Sequence, residues 1–452
     1  MKNTELATES INKLILKYAL PSTIGFVVLG IYIIVDGIFL GNYVGSDAIA
    51  AVTVAIPFSF LLTGFGLMFG IGASSHISMN LGAGNQKDAE NILKTVFYLI
   101  FITGIILTLL SLIFIKPLLA LFGVSENLLN LSYDYLNLIY LFGIFIMFKV
   151  GLDPIIRNDG FPKKAMYAII LSSLLNILFD AIFIVIFGWG VFGAALASVI
   201  GETFGALIYI HHFLAGKSNL KIKLFEKVSD IKYEIKNVKK ILSVGFSPFI
   251  LEMSASIVML IHTIQFLRYG NELDVSAYGI VSYIFAIIML IFIGLGNGVQ
   301  PIISYNFGAK EYFRVKEIIR TSSILCSIVG ILVFLLFSIF PKIPVMLFNQ
   351  TDSLLIETSI FGLRYFAYGL SVFGLNYLII TYFQSIGNSI VSNTLSLIRV
   401  FVFLIPLLII LPKNFGINGI WASQPLAEIL TLIVGFIFIK VAIKRTLNTV
   451  NV

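Results

Sequence analysis

Gly70 to Asn85 read GIGASSHISMNLGAGN and Gly296 to Glu311 read GNGVQPIISYNFGAKE, each closing a long apolar segment. Aligned over 70–95 and 296–321, the stretches share nine residues: Gly70, Gly72, Ile77, Ser78, Asn80, Gly82, Ala83, Ile92 and Thr95. The offset of 226 recurs where Gly190, Gly193 and Glu202 pair with Gly416, Gly419 and Glu428. It becomes 227 for Pro21 with Pro248 and Gly160 with Gly387. The chain is two diverged copies of one unit.

Composition places both copies in a bilayer. Hydrophobic residues make up 58% of the chain, charged residues 12%, and mean hydropathy is +1.01, against roughly a quarter charged in soluble domains. This is a polytopic membrane protein. The one cysteine, Cys326, excludes a disulfide framework or a four-cysteine metal site and is expected to be a buried small side chain. The N-terminal segment is polar for ten residues and then runs into an apolar stretch with no small-residue cleavage site, so the first helix is expected to be retained.

Stretches long enough for a hydrocarbon core of about 30 Å fall near 14–41, 48–78, 92–115, 131–155, 164–187 and 192–214. The second copy repeats them near 240–267, 276–304, 318–340, 355–383, 391–411 and 417–439. With both termini cytoplasmic, the inner side holds 23 of the 30 Lys and Arg, and the outer side only Lys116, Arg268, Lys342 and Lys413. That bias selects this orientation. An even number of helices per copy gives both copies the same orientation, so the expected fold is all-α and integral to the membrane. Twelve helices form two six-helix bundles related by a pseudo-two-fold along the membrane normal, enclosing a central cleft. The expected units are an N-terminal lobe at 1–216, an amphipathic cytoplasmic linker at 217–239 and a C-terminal lobe at 240–452. The linker segment carries eight Lys, counted through Lys240, and reads as a helix lying on the inner membrane surface. The net charge of +7 is topology and attraction to anionic lipid, not a nucleic-acid partner.

A carboxylate at helix centre costs about 2.5 to 3.5 kcal/mol even on lenient insertion scales. Buried acids are therefore the places to look for function. Asp36, Asp180, Glu202, Glu252 and Glu428 all fall inside spans. Asp36 and Asp180 lie roughly 8 to 10 Å below the outer face at 1.5 Å per residue, and Ser198 lies at the same depth. Asn176 sits one turn from Asp180 on the same face. Asp36, Asn176, Asp180 and Ser198 thus form an oxygen-rich set at one level of the first bundle, suited to Na⁺, a hard ion, or to proton storage by close carboxylates.

Glu202 and Glu428 are repeat mates and fit a packing or hinge role as well as a site. Glu252, whose mate is Gly25, carries a charge peculiar to the second copy and is expected to meet a cationic substrate. With Glu202, His262 and Gln300 it makes up the candidate substrate cleft, although a lone membrane histidine such as His262 is more often a packing residue. Arg399 is expected to snorkel or pair. Pro21 and Pro248 are expected to kink their helices and act as hinges. The GAGN and GAKE turns lack the Gly-Lys-Ser/Thr ending of a phosphate loop and serve as helix ends. ATP is therefore not expected, nor any cofactor beyond the coupling ion.

Several runs together resemble one family. ALPSTIGFVVLGIYIIVDGIFLGNYVG in the first span, the repeated N-x-GA turns, IIRNDGFPKKAM after the fourth, and NILFDAIFI followed by GVFGAALAS are similar to the multidrug and toxic compound extrusion (MATE) transporters. The resemblance covers essentially the whole chain. It implies a two-lobed exporter exchanging organic, often cationic and amphipathic, drugs for Na⁺ or H⁺ by alternating access, with an N-lobe cation site at Asp36, Asn176, Asp180 and Ser198. Some members add a helix 7 glutamate, matched by Glu252, with a helix 10 aspartate. The span at 355–383 has Arg364 but no aspartate in its core, which leaves that second site without its partner.

The expected activity is antiport by a functional monomer in a bacterial cytoplasmic membrane. The alternative within transport is a flippase for lipid-linked sugar precursors, whose anionic phosphate would require several cations in the cleft; only Lys149, Arg364 and Arg399 lie within spans. A membrane enzyme such as a prenyl transferase would need acidic clusters at the cytoplasmic face to hold Mg²⁺, and the inner loops carry only scattered acids such as Asp159. The chain is not expected to be an enzyme.

Overall fold

The computed structural model describes residues 4–121, 125–222, 231–350 and 352–450. After a short N-terminal helix, Thr4–Thr8, twelve segments follow. In the first half these are α1 (Ile11–Phe39), α2 (Ser46–Gly82), α3 (Gln86–Leu121), α4 (Glu126–Leu141 continued by Gly143–Asn158), α5 (Pro162–Asp180) and α6 (Gly190–Leu214). The second half has α7 (Ile231–Tyr269), α8 (Glu272–Gly308), α9 (Tyr312–Ile339), α10 (Ser353–Ser385), α11 (Ser389–Leu397 extended through Phe415) and α12 (Ile417–Val450). Among the described residues, eleven helices are long and apolar enough to cross a membrane. The two parts of α4, bent by 59°, make a twelfth span when taken together.

Two boundaries differ from the sequence reading. The span expected as one helix near 131–155 is broken at Phe142, where Thr108 Oγ1 donates to the Tyr140 carbonyl at 2.7 Å. The linker expected to end at 239 is continuous with α7 from Ile231. Residues 223–230 of that linker lie outside the described residues. Helices α1 and α7 run unbroken through Pro21 and Pro248.

Within the first half, α1 packs on α5, α2 on α3 and α4, and α6 on α4 and α5; within the second, α10 packs on α8, α9 and α12. The bundles meet where α2 lies on α7 and α1 on α8. The first helix of each copy reaches across the seam. Tyr18 and Ala19 of α1 sit in a buried cluster with Phe292 and Phe383, while Ile241 of α7 joins the core of the first bundle. The N-terminal helix follows α1 across: Asn306 Nδ2 donates to the Leu6 carbonyl at 3.0 Å and Arg314 Nη2 to the Glu9 carbonyl at 2.8 Å.

The repeated motif explains the closest contact. A Cβ added to Gly82 would stand 2.0 Å from the Tyr305 carbonyl oxygen, and one added to Gly308 would stand 2.0 Å from that of Met79. These four positions are repeat mates, so the pseudo-two-fold axis passes between them. Only glycine permits this backbone approach, and in lipid, where burial of apolar surface gains little between helices, close packing and polar bonds hold the bundles together. Ser78 Oγ donates to the Pro301 carbonyl at 3.0 Å, and Gln300 Nε2 to Ser74 and Ser75 at 2.8 Å each. The highest of these bridges is Thr63 Oγ1 to Glu252 at 2.8 Å, near mid-helix. The cleft is closed at the face carrying the termini, here called the terminal face.

Candidate functional site

Four helices of the first bundle place oxygen atoms at one point. Helix α1 contributes Tyr32 and Asp36, one turn apart on a single face. Helix α5 ends at Asp180, where a wide π-type stretch, Ala181–Ile186, begins; such insertions rotate the register of one turn and recur at functional positions. Asn176 stands one turn earlier, α6 brings Ser198 and Glu202, and the first part of α4 brings Tyr135.

The carboxyl groups of Asp36 and Asp180 approach to hydrogen-bonding range. Two ionised carboxylates repel at that separation, so the pair is stable only with a shared proton or an intervening cation. Asp180 is fully buried and Asp36 is half-buried. With its amide oriented to satisfy both ends, Asn176 donates to Asp180 Oδ2 at 3.2 Å and accepts from the Ser198 hydroxyl at 3.2 Å and N–H at 3.3 Å. The Tyr135 phenol lies near Asp36, Asp180, Ser198 and Glu202, and the Tyr32 phenol near Asp36, Asp180, Glu202 and Tyr135. Oδ1 of Asp36 and Oδ1 of Asp180 are both buried with no hydrogen-bond partner. Orphaned carboxylate oxygens are unsatisfied acceptors, and a proton or a hard cation would satisfy them.

The structure therefore brings together the four residues read from sequence. Tyr32 and Tyr135 were missed, because a tyrosine among 19 carries no signal until the packing of its helix aims it. The other candidates are dispersed. Glu202 accepts from Lys149 Nζ at 2.5 Å, one turn below Ser198. Glu252 bridges to Thr63 at the floor of the cleft. Two candidates leave the cleft altogether. His262 is buried between α7 and α8, its ring stacked on Tyr278 at 4.7 Å and its Nδ1 2.9 Å from the Val258 carbonyl. Gln300 is buried in the seam of the terminal face, where both serines of α2 take its amide.

In the second bundle, Arg399 binds Glu428 Oε1 at 2.6 Å and lies over the Phe373 ring at 4.8 Å. Asn376 and Gln424 also donate to Glu428, at 2.8 and 3.1 Å. The mates of Asp36, Asn176 and Asp180 by the 227 offset are Thr263, Phe403 and Leu407. Among the described residues, the oxygen cage exists in one copy only.

Fold and site together define a transporter, and the comparisons with known proteins agree. The chain belongs to the MatE family, whose profile matches it twice, over residues 21–182 and 248–410. It is a member of a family of multidrug efflux transporters and is not an enzyme. It is 28% identical over 429 residues to the multidrug export protein MepA of Staphylococcus aureus (strain MRSA252), spanning 94% of this chain and 93% of that protein. MepA of Staphylococcus saprophyticus is 27% identical over 420 residues, 93% and 91% of the two chains. Among solved structures, a ligand complex of the MATE multidrug transporter DinF-BH is 31% identical, covers 96% of both chains and superposes with a TM-score of 0.88. A MATE family transporter of the MOP superfamily in an outward-facing conformation reaches 0.93 over 99% of both chains at 23% identity, a likeness of fold.

Proposed function

We propose that this chain exports organic, amphipathic and mostly cationic compounds from a bacterium by exchanging them for H⁺ or Na⁺ across the cytoplasmic membrane, with both termini inside. The observation that carries this reading is the Asp36/Asp180 pair with its two orphaned oxygens. In the proposed cycle the cleft faces outward when the terminal face is closed. A cation from outside occupies Asp36, Asn176, Asp180 and Ser198, satisfies both carboxylates and changes how the outer half of α1 packs on α5. Drug leaves, the lobes rock, and cation release inside restores the charged pair that favours a cationic drug. The cycle runs on the differential affinity of each ligand for the two states. Hinge movement is assigned to α1 and α7 at Pro21 and Pro248, where a backbone hydrogen bond is missing in each. The lobes are the units 1–216 and 240–452.

The names of the relatives support drug export, and the multidrug transporter that is 31% identical supports a broad range of cargo. A cationic cargo is supported by the acidic pair itself, which a positive charge complements. The flippase alternative is disfavoured by charge. Lys149 and Arg399 are each committed to a glutamate, leaving little in the span interiors to receive a lipid phosphate.

The test is ethidium transport in inverted membrane vesicles carrying an imposed H⁺ or Na⁺ gradient. Transport that follows one of the two gradients is expected. Movement of a labelled lipid-linked sugar, with ethidium immobile under both gradients, would replace antiport by flipping.

A further inference from the structure

We propose that the protein carries a site for an anionic phospholipid in the membrane-facing groove between α2, α7 and α11. The groove holds a cavity of about 480 Å³ walled by Phe65 and Met68 of α2, Leu242, Phe246 and Phe249 of α7, and Asn393 of α11. That volume is within the usual range for small-ligand sites, roughly 300 to 1,000 Å³. At this level the cleft between the lobes is shut, since Gly245 lies directly on the Met68 carbonyl. Residues of α7 exposed here, Leu242 and Phe246, therefore face the bilayer, and they lie within the apolar span Glu234–Tyr269.

The occupant is set by what stands above the apolar walls. Positions 236, 239, 243 and 246 follow one another along a single face of α7. Lys236 and Lys239 are exposed on that face at the terminal end of the groove, where phosphates of the adjoining leaflet lie. Asn393 Nδ2 donates to the Ser243 carbonyl at 3.0 Å while its Oδ1 is buried without a partner, so an acceptor waits between the apolar walls and the lysines. An acyl chain between Phe65 and Phe246 and a phosphate at Lys236 and Lys239 match the apolar walls and the exposed cations of the groove.

The repeat supplies an internal control. At the 227 offset, Lys236, Lys239 and Phe246 become Glu9, Asn12 and Ala19. Ala19 is 1% exposed where Phe246 is 43% exposed, because α8 closes over α1 through contacts such as Gly298 on Ala19. Neither the cavity nor its cations are thus a necessary product of the fold. Because its walls come from both lobes, and Phe65 and Phe249 are 5.0 Å apart across the seam, a lipid seated there favours the state closed at the terminal face.

The test uses the whole protein in nanodiscs of mixed phosphatidylglycerol and phosphatidylcholine, with a photoactivatable acyl chain on one lipid at a time. Labelling of peptides spanning 236–249 by the phosphatidylglycerol probe is expected to exceed labelling by the phosphatidylcholine probe by about tenfold or more, since each lysine near the surface contributes about 1 kcal/mol to anionic lipid. Lys236→Gln with Lys239→Gln, both at exposed positions where the fold tolerates the change, is expected to erase that preference. Leu242→Trp, which fills the cavity, is expected to lower labelling by both probes. Equal labelling by the two lipids in the wild type, or an unchanged preference in the double variant, overturns the proposal. So does labelling of the α1 face around Ala19 at the same level.

Discussion

Glu202 and Glu428 stand at equivalent positions of the two repeats, and each is held by a cation from a different helix: Lys149 of α4 at 2.5 Å in one copy, Arg399 of α11 at 2.6 Å in the other. The mate of Lys149 is Asn376, which still donates to Glu428 at 2.8 Å; the mate of Arg399 is Ser172, which instead donates to the Gly201 carbonyl at 2.7 Å. The carboxylate is common to both copies and its counter-ion has moved. Each pair ties the sixth helix of its bundle to a neighbour in a place where an unpaired charge is expensive.

Removing one member of the Arg399–Glu428 pair should therefore cost more than removing both. Glu428→Met or Arg399→Met alone is expected to lower stability by about 3 to 5 kcal/mol, with much of the loss recovered in the double variant. Thermal unfolding of the detergent-solubilised protein measures this. Additive losses, with a coupling below about 0.5 kcal/mol, would show that the pair does not act as a unit.

At the pseudo-two-fold axis, Gly82→Val should force the lobes apart at the terminal face. The added Cβ would start 2.0 Å from the Tyr305 carbonyl oxygen, well inside the contact distance of about 3.5 Å. Electron–electron distances between spin labels at Asn85→Cys and Lys310→Cys are expected to lengthen by about 1 Å or more. An unchanged distance distribution would mean that this contact does not hold the face shut.

Tyr135→Phe should weaken cation coupling without abolishing transport. The phenol stands near Asp36, Asp180 and Ser198, and a lost interaction of about 1 kcal/mol corresponds to roughly a fivefold rise in the cation concentration giving half-maximal ethidium efflux. A dose curve identical to wild type would remove Tyr135 from the site.

Arg314→Ala should loosen the N-terminal helix, since Arg314 and Asn306 donate to the carbonyls of Glu9 and Leu6. Amide hydrogen exchange over residues 4–9 is expected to quicken by about tenfold, as for the loss of one to two hydrogen bonds to a charged donor. No change there would show that the strap is held by packing alone.

The repeat and the apolar spans made the two-bundle architecture legible before any coordinates, because a bilayer leaves a chain few choices of backbone. The depths of Asp36, Asn176, Asp180 and Ser198 followed from a rise of about 1.5 Å per residue, which is why four scattered polar residues could be placed at one level. Tyr32 and Tyr135 were hidden, since their relevance depends on rotation about the helix and on the 59° bend in α4, neither of which is written in hydropathy. Gln300 misled for a related reason, whereas His262 took the packing role that a lone histidine in a span suggests. Polarity within a span marks a residue that needs a partner, and the partner can be Tyr278 or a pair of serines as readily as a substrate. The crossing of α1 and α7 into the opposite bundle was equally invisible, because it depends on glycine contacts between segments far apart in the chain, such as Gly298 with Ala19 and Gly245 with Met68.

The most direct measurement of the central claim compares two modes of ethidium movement in proteoliposomes, for wild type, Asp36→Asn and Asp180→Asn. One mode is driven by an imposed H⁺ or Na⁺ gradient; the other exchanges labelled for unlabelled ethidium with no gradient at all. The account predicts that both variants lose the gradient-driven component while retaining exchange at saturating ethidium, because the cation site is disabled and the path is open, with only the pair's attraction for the drug reduced. Gradient-driven transport undiminished in both variants would contradict it.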